Sequence, residues 1–554
     1  MSQSRYTPTR PDSEVWPISA PGPLGNFGSF GYSNGHRSRR LYLLEGRLPR
    51  TIVLVMVDQL AAKWVEAANS GVVDLPELRR LAAEGVDFQR AFTENPVCTP
   101  ARANIATGMS SSANGVGECG YRLDPAVPTF MRALQAAGWA TGAFGKLHLL
   151  PQLESVAPDY RVYGFDTVHN TEDTRAGAWL DWVRETHGEW YDAARATVWM
   201  TMVPELANYG AEHEDLRAQV LGSQSRYPQT TELAYELPFP AEVSQTAWIT
   251  DRARDYLRAA DHRDVFMHVS YVQPHNPFSP PAGYVGSVNL SAIPDPVPAE
   301  WLEDPIPYFA QERYQRPSYD EHDWKRERRF YFADLAHLDH EIGRLRQALE
   351  DAGRLDDCLL IFTSDHGELL HDHGLLGKWE RHYDPCIRVP LIISAPGVDP
   401  SVRHELVKHT DITATIYDWA QVTPPLLPAG PPDTTDALPM LHGRSLLPLL
   451  HAGPAADDPW RTEILIQSNN SHVNVSPTSW ARTLRTDQYR YTHFFNDGGE
   501  QLFDLSSDPD ERVDLAQDPQ YRETADRLRA RLLEAAVRES YPNTPRALYR
   551  LGTW

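Results

Sequence analysis

The stretch Ile52-Val53-Leu54-Val55-Met56-Val57-Asp58-Gln59 decides the fold. Its first six residues are apolar and mostly β-branched, with no alternation between apolar and polar positions. That pattern belongs to a strand covered on both faces, as in a parallel sheet. The run stops at a carboxylate and an amide. In open α/β sheets ligands bind outside the carboxyl ends of the strands, so Asp58 and Gln59 stand where chemistry is expected.

The same rhythm repeats outward from this strand. Pro76 to Gly85 reads as a helix with proline at its start and glycine after its end. Pro128 to Gly138 (PTFMRALQAAG) reads as a second such helix. Trp139 to Phe144 follows as a short strand and leads into Gly145-Lys146-Leu147-His148. Val265 to Val272 is another apolar strand, ending at Gln273-Pro274-His275-Asn276-Pro277. Arg329 to Ala352 reads as a long amphipathic helix closed by Gly353. Leu359 to Ser364 is a second buried strand, ending at Asp365-His366-Gly367. Strands alternating with helices predict an α/β fold with a large, mostly parallel sheet flanked by helices.

Three regions break the rhythm. Residues 1–49 read as an irregular extension. Residues 151–240, rich in Trp, Tyr, Asp and Glu, read as an elaboration near the entrance to a site on the main domain, 50–430. Residues 422–440 (VTPPLLPAGPPDTTDALPM) read as a surface linker. Beyond it, 431–554 reads as a smaller α+β domain, with strands at Glu463 to Ser468 and Gln488 to Phe494 and a closing helix from Asp518 to Glu539. The extension and the tail Tyr541 to Trp554 are candidate contacts of a homo-oligomer.

The chain has 554 residues, 41% of them hydrophobic, enough for two to four structural units around a large core. Its 52 Lys and Arg face 75 Asp and Glu, a formal net charge of −23. Such a surface counts against nucleic acid and anionic membranes as partners. A small anionic substrate stays open if a local basic cluster overrides the overall field. The four cysteines, Cys98, Cys119, Cys358 and Cys386, form no C-x-x-C pair and read as reduced thiols. No apolar run in the first fifty residues resembles a signal peptide, and none elsewhere is long enough to span a bilayer. A soluble, cytoplasmic protein is expected.

Two clusters could carry chemistry. Asp58 and the pair Asp365-His366 each follow a buried strand. With the Gln59 amide oxygen they would form a one-metal site of mostly oxygen ligands. The plainer alternative makes Asp58 a helix cap and His366 a turn residue. The second cluster lies in Asn95 to Gly108, which contains C-x-P-x-R. Pro100 suits the first turn of a helix and places Cys98 near its N-terminus, where the dipole and free N–H groups favour an anion. Arg102 lies one turn further on. The plainer alternative makes Cys98 a small packed residue.

The wider pattern resembles the sulfatase family of the alkaline-phosphatase-like superfamily. Cys98-Thr99-Pro100-Ala101-Arg102, followed by Ala106-Thr107-Gly108, is similar to that family's signature. Gly145-Lys146-Leu147-His148 and Pro274-His275-Asn276-Pro277 resemble two further elements. So do Ser364-Asp365-His366-Gly367-Glu368 with Leu376-Gly377-Lys378, Arg388 to Ile393, and Leu502-Phe503-Asp504-Leu505 with Asp508-Pro509. The matches keep the family's order from about residue 50 to 520.

The resemblance implies an alkaline-phosphatase-like core with a smaller C-terminal α+β domain, and a hydrolase of sulfate esters. It implies that a separate formylglycine-generating system oxidises Cys98 to formylglycine. One hydroxyl of the hydrated aldehyde, activated by one divalent metal ion, would attack the substrate, and the other would later expel the bound anion. By the same resemblance Asp58, Gln59, Asp365 and His366, with the side chain at Cys98, hold the metal. Arg102 orients the nucleophile and balances charge, Lys146 and Lys378 hold the anionic oxygens, His275 is the acid for the leaving alcohol, and His148 is the base. His371, His373, His382, Asp411, Arg388, Cys119, Cys358 and Cys386 read as structural.

Two positions depart from the commoner pattern. Gln59 stands where many sulfatases carry a second Asp, and Ala101 stands where Ser is commoner. The D-Q pair is shared with phosphonate monoester and phosphodiester hydrolases of the family, which makes a phosphorus ester the rival substrate. His366 brings a nitrogen ligand, which suits Mn²⁺, while Ca²⁺ is also compatible. A third reading is a catalytically silent anion-binding protein, which an unmodified thiol at Cys98 would favour.

Overall fold

The computed structural model describes residues 49–540 except 156, 204–213, 261–262, 314–320, 429–436, 452–458, 470–479 and 497. The expectations for the extension and for the tail from Tyr541 lie outside the described residues. The described residues form one compact unit.

An eight-stranded sheet runs through the core. Its strands are β1 (Thr51–Val57), β2 (Val86–Phe88), β3 (Ala140–Gly145), β4 (Thr167–Asn170), β5 (Val265–Ser270), β6 (Cys358–Ser364), β7 (Leu391–Ser394) and β8 (Ser401–Arg403). They lie in the order β8-β2-β7-β6-β1-β5-β3-β4. β1 pairs in parallel with both β5 and β6, and β3 in parallel with β4 and β5. Only β7 runs against its neighbours. This is the mostly parallel sheet expected.

The opening strand explains itself. Side chains alternate across a strand. Val53, Val55 and Val57 enter one core layer, and Ile52, Leu54 and Met56 enter the other. On the first side lie α1 (Pro76–Glu84), α4 (Gln245–Ala259) and α5 (Glu321–Asp351). On the second lie α2 (Cys98–Thr107), α3 (Phe130–Ala136) and α6 (His409–Ala420). α3 begins two residues later than Pro128, because the Thr129 hydroxyl caps it by accepting from the Arg132 amide. α5 begins eight residues before Arg329. Its polar first turns are held to the core by Arg328, which pairs with Asp372 at 2.9 Å and lies over the Trp64 ring.

The C-terminal part is an antiparallel meander of β9 (Glu463–Asn469), β10 (Trp480–Thr486), β11 (Tyr489–Phe494) and β12 (Gly499–Asp504). β10 and β12 go beyond the two strands expected. One face carries α7 (Arg522–Glu539) through Leu528 and Leu532 against Leu484 and Leu502. The other packs Ile464, Ile466 and Phe494 on Phe309 and Tyr383 of the main body. Within the stretch expected to be a surface linker, Leu426–Pro428 pairs antiparallel with Ala437–Pro439 as a short ribbon.

Candidate active site

Four neighbouring parallel strands, β6, β1, β5 and β3, end on the same side of the sheet. Their carboxyl ends bring together what the chain separates: Asp365 and His366 after β6, Asp58 and Gln59 after β1, His275 after β5, and Lys146 and His148 after β3. The N-terminus of α2 delivers Cys98 to the same place. Gly145 makes the last crossing possible. Its φ of 94° is left-handed, and a Cβ there would sit 1.9 Å from the Ser270 carbonyl oxygen, so only glycine lets β3 turn Lys146 inward.

Asp58, Cys98, Asp365 and His366 each offer a ligand atom, and these atoms lie within 4.8 Å of one another. All four residues are buried, Cys98 being 3% exposed. The His366 Nδ1 lies 3.0 Å from the Gly367 carbonyl oxygen and donates to it, which leaves Nε2 as a lone-pair donor facing the centre. The Lys378 ammonium reaches the point where these acceptors converge: 2.7 Å from Gln59 Oε1, 2.9 Å from Cys98 Sγ and 3.0 Å from His366 Nε2. Burial, and then the Asp58 carboxylate, push Asp365 up. Two carboxylates, an imidazole nitrogen and an amide oxygen fit one divalent metal ion.

Arg102 locks the two carboxylates. Its Nε donates to Asp365 at 2.8 Å and its Nη2 to Asp58 at 3.1 Å, while Nη1 donates to the Lys146 carbonyl oxygen and the Ser270 hydroxyl. Burial works against the charge on Asp58, as does Cys98, but Lys146, His275 and Lys378 hold it below the usual range. Burial also pushes the Cys98 thiol up. The hydrogen bond with Cys119 and the charges of Lys146, Lys378 and His366 outweigh this and hold it well below an ordinary thiol.

His148 has a left-handed φ of 44° and is buried, with its Nδ1 unpartnered. His275 turns its Nδ1 to the Asn276 carbonyl oxygen at 2.6 Å, leaving Nε2 for a ligand. His371, His373 and His382 are structural as expected: they bond to Glu327, to the Asp510 carbonyl, and to Thr483 and Ser468. Asp411 anchors α6 and Arg461, and Arg388 pairs with Glu66. Cys119, read as structural, lies beside the centre and shares a hydrogen bond with the Cys98 sulfur.

Several contributors escape the sequence reading. Asp173 holds Lys146 Nζ at 2.7 Å, and Glu172 accepts from the amides of Leu147 and His148. Both follow β4, whose four residues are too few to stand out by pattern. Trp199 lays its ring 6.2 Å from that of His275. Glu368, quoted within Ser364 to Glu368 but given no role, accepts from the Gln59 amide nitrogen and thereby turns Gln59 Oε1 to the centre. The adjacency of acid and amide after two parallel strands was the available signal for that pair.

Fold and centre define an α/β hydrolase of the alkaline-phosphatase-like class. The sulfatase profile matches residues 50–422, and the C-terminal profile of N-sulphoglucosamine sulphohydrolase matches 371–538. The chain belongs to the sulfatase family. It is 26% identical to an arylsulfatase of Clostridium perfringens over 87% of this chain and 93% of that one. It is 28% identical to a choline-sulfatase of Rhizobium meliloti over 84% and 82%. The phosphonate monoester hydrolase of Silicibacter pomeroyi shares its fold, with a TM-score of 0.71 at 24% identity over 88% and 96%. The protein is a sulfatase-type hydrolase.

Proposed function

We propose that this enzyme cleaves sulfate monoesters of small alcohols with a nucleophile made from Cys98, and that a formylglycine-generating system matures it. The observation that carries the reading is the convergence of Cys98 with Asp58, Asp365 and His366 at the head of α2. Asp58, Gln59, Asp365 and His366 would hold one divalent cation, Ca²⁺ or Mn²⁺. When bound, it supplies the charge that lets a hydroxyl ionise near neutral pH. Arg102 keeps both carboxylates aimed. Lys146 and Lys378 steady the anionic oxygens of the ester as charge shifts. The free Nε2 of His275 gives a proton to the departing alcohol, and His148, on the loop gripped by Glu172, takes one when the centre resets.

Phosphonate monoesters form a second reading, supported by Gln59 in place of a second acid and by the shared fold. Rates on an aryl sulfate and on an aryl phosphonate monoester separate the two. The sulfate should be the faster, and a strong preference for the phosphonate would reverse the assignment. Mass analysis of the peptide carrying Cys98, from a host with the oxidising system, should find the aldehyde. Cys98→Ala should abolish turnover and leave the thermal melt nearly unchanged. The cytoplasmic location and a homo-oligomeric state belong to the same proposal, and fractionation and sedimentation test them.

A further inference from the structure

Lys146 is wholly buried and lies between two carboxylates. Its Nζ is 2.5 Å from Asp58 Oδ2 and 2.7 Å from each oxygen of Asp173. Asp58 belongs to the metal set. Asp173 does not: it comes from the segment after β4, and its second contact is the Gln152 side-chain amide at 2.6 Å. It also lies within electrostatic reach of His275 and His148. A carboxylate beside a lysine that grips an anion is costly. It cancels attraction that the anion would otherwise feel, and the cost grows in proportion to the charge the anion carries. Burial keeps water from screening it.

We propose that Asp173 is a specificity-determining residue that selects esters bearing one negative charge on the transferred group against those bearing two. Sulfate monoesters, phosphonate monoesters and phosphodiesters carry one charge. Phosphate monoesters carry two near neutral pH. The inference rests on the hydrolase reading above and narrows it: the residue discriminates by charge, whatever the central atom.

Inert anions of similar shape test it without turnover. Methanesulfonate carries one charge and inorganic sulfate two, and calorimetry gives the affinity of the metal-loaded enzyme for each. Asp173→Asn should move the ratio of the two affinities toward sulfate by about ten-fold, the equivalent of removing roughly one strong charge contact. In parallel, kcat/KM for an aryl phosphate should rise relative to an aryl sulfate. Asp173→Glu, which keeps the charge, should hold the wild-type ratio. Thermal melts check each fold, and Asp173→Ser repeats the measurement if the amide disturbs Gln152. A merely structural residue would weaken both anions alike, and an unchanged ratio overturns the inference while leaving the hydrolase reading intact. A wild-type enzyme that cleaves neither sulfate nor phosphonate esters sinks that reading instead.

Discussion

The Nζ of Lys378 stands 2.9 Å from the Sγ of Cys98, inside a ring of acceptors that also holds Gln59 Oε1 and His366 Nε2. A cation this close helps the sulfur ionise in the unconverted chain. Removing it with Lys378→Met should move the pH at which iodoacetamide alkylates Cys98 upward, since a charge that lowers the thiol is lost. In the matured enzyme the same change should cut kcat about 10²-fold, by analogy with the loss of one oxyanion donor. An unaltered alkylation profile would remove Lys378 from the centre.

Chelation should remove both activity and stability. Without a bound cation Asp58 and Asp365 crowd each other, while binding to the folded state alone stabilises it by mass action. The melting temperature should fall on dialysis against a chelator and rise again with Ca²⁺ or Mn²⁺. Elemental analysis of protein that has not been stripped then names the ion. A melt indifferent to both treatments would contradict the metal set.

Trp199 should govern the leaving alcohol. Its indole faces the His275 ring, on the side where the alcohol departs in the proposed reaction. Trp199→Ala should raise KM for aryl sulfates several-fold and change KM for a small alkyl sulfate little. Equal effects on both would assign the indole to the fold instead.

A different carboxylate tests the scaffold. Asp339 on α5 accepts from the amides of Glu77 and Leu78 at the start of α1, and burial pushes it up from 3.8 to about 6. The folded protein therefore holds this proton more tightly than the unfolded chain. The stability it adds is complete below pH 3.8 and is lost as pH rises through about 6. In urea unfolding, the advantage of wild type over Asp339→Asn should shrink between about pH 4 and pH 7. A constant difference would mean that the carboxyl titrates as in water.

The sheet and the meeting of Asp58 with Asp365 and His366 were legible because each rested on a pattern the chain repeats. A continuous apolar strand followed at once by Asp58, and another followed by Asp365, fix both the topology and the end at which the residues meet. Asp173 and Trp199 were not legible. Asp173 follows a four-residue strand at the sheet edge, and Trp199 reaches His275 only through folding of the irregular 151–240 region. Their roles come from proximity, which no local periodicity encodes. Cys119 escaped for the same reason: it stands twenty-one positions beyond Cys98 in sequence, and only the folded chain brings the two sulfurs together.

The depth of Cys98 sets a timetable. At 3% exposure, on a helix whose ten residues are all buried, its sulfur is out of reach of another protein once the surrounding strands have closed. The oxidation proposed here has to reach this stretch while it is still an open chain. Specific activity in any preparation then records how much of the converting catalyst was at hand during synthesis, and adding it afterwards to finished protein will rescue little.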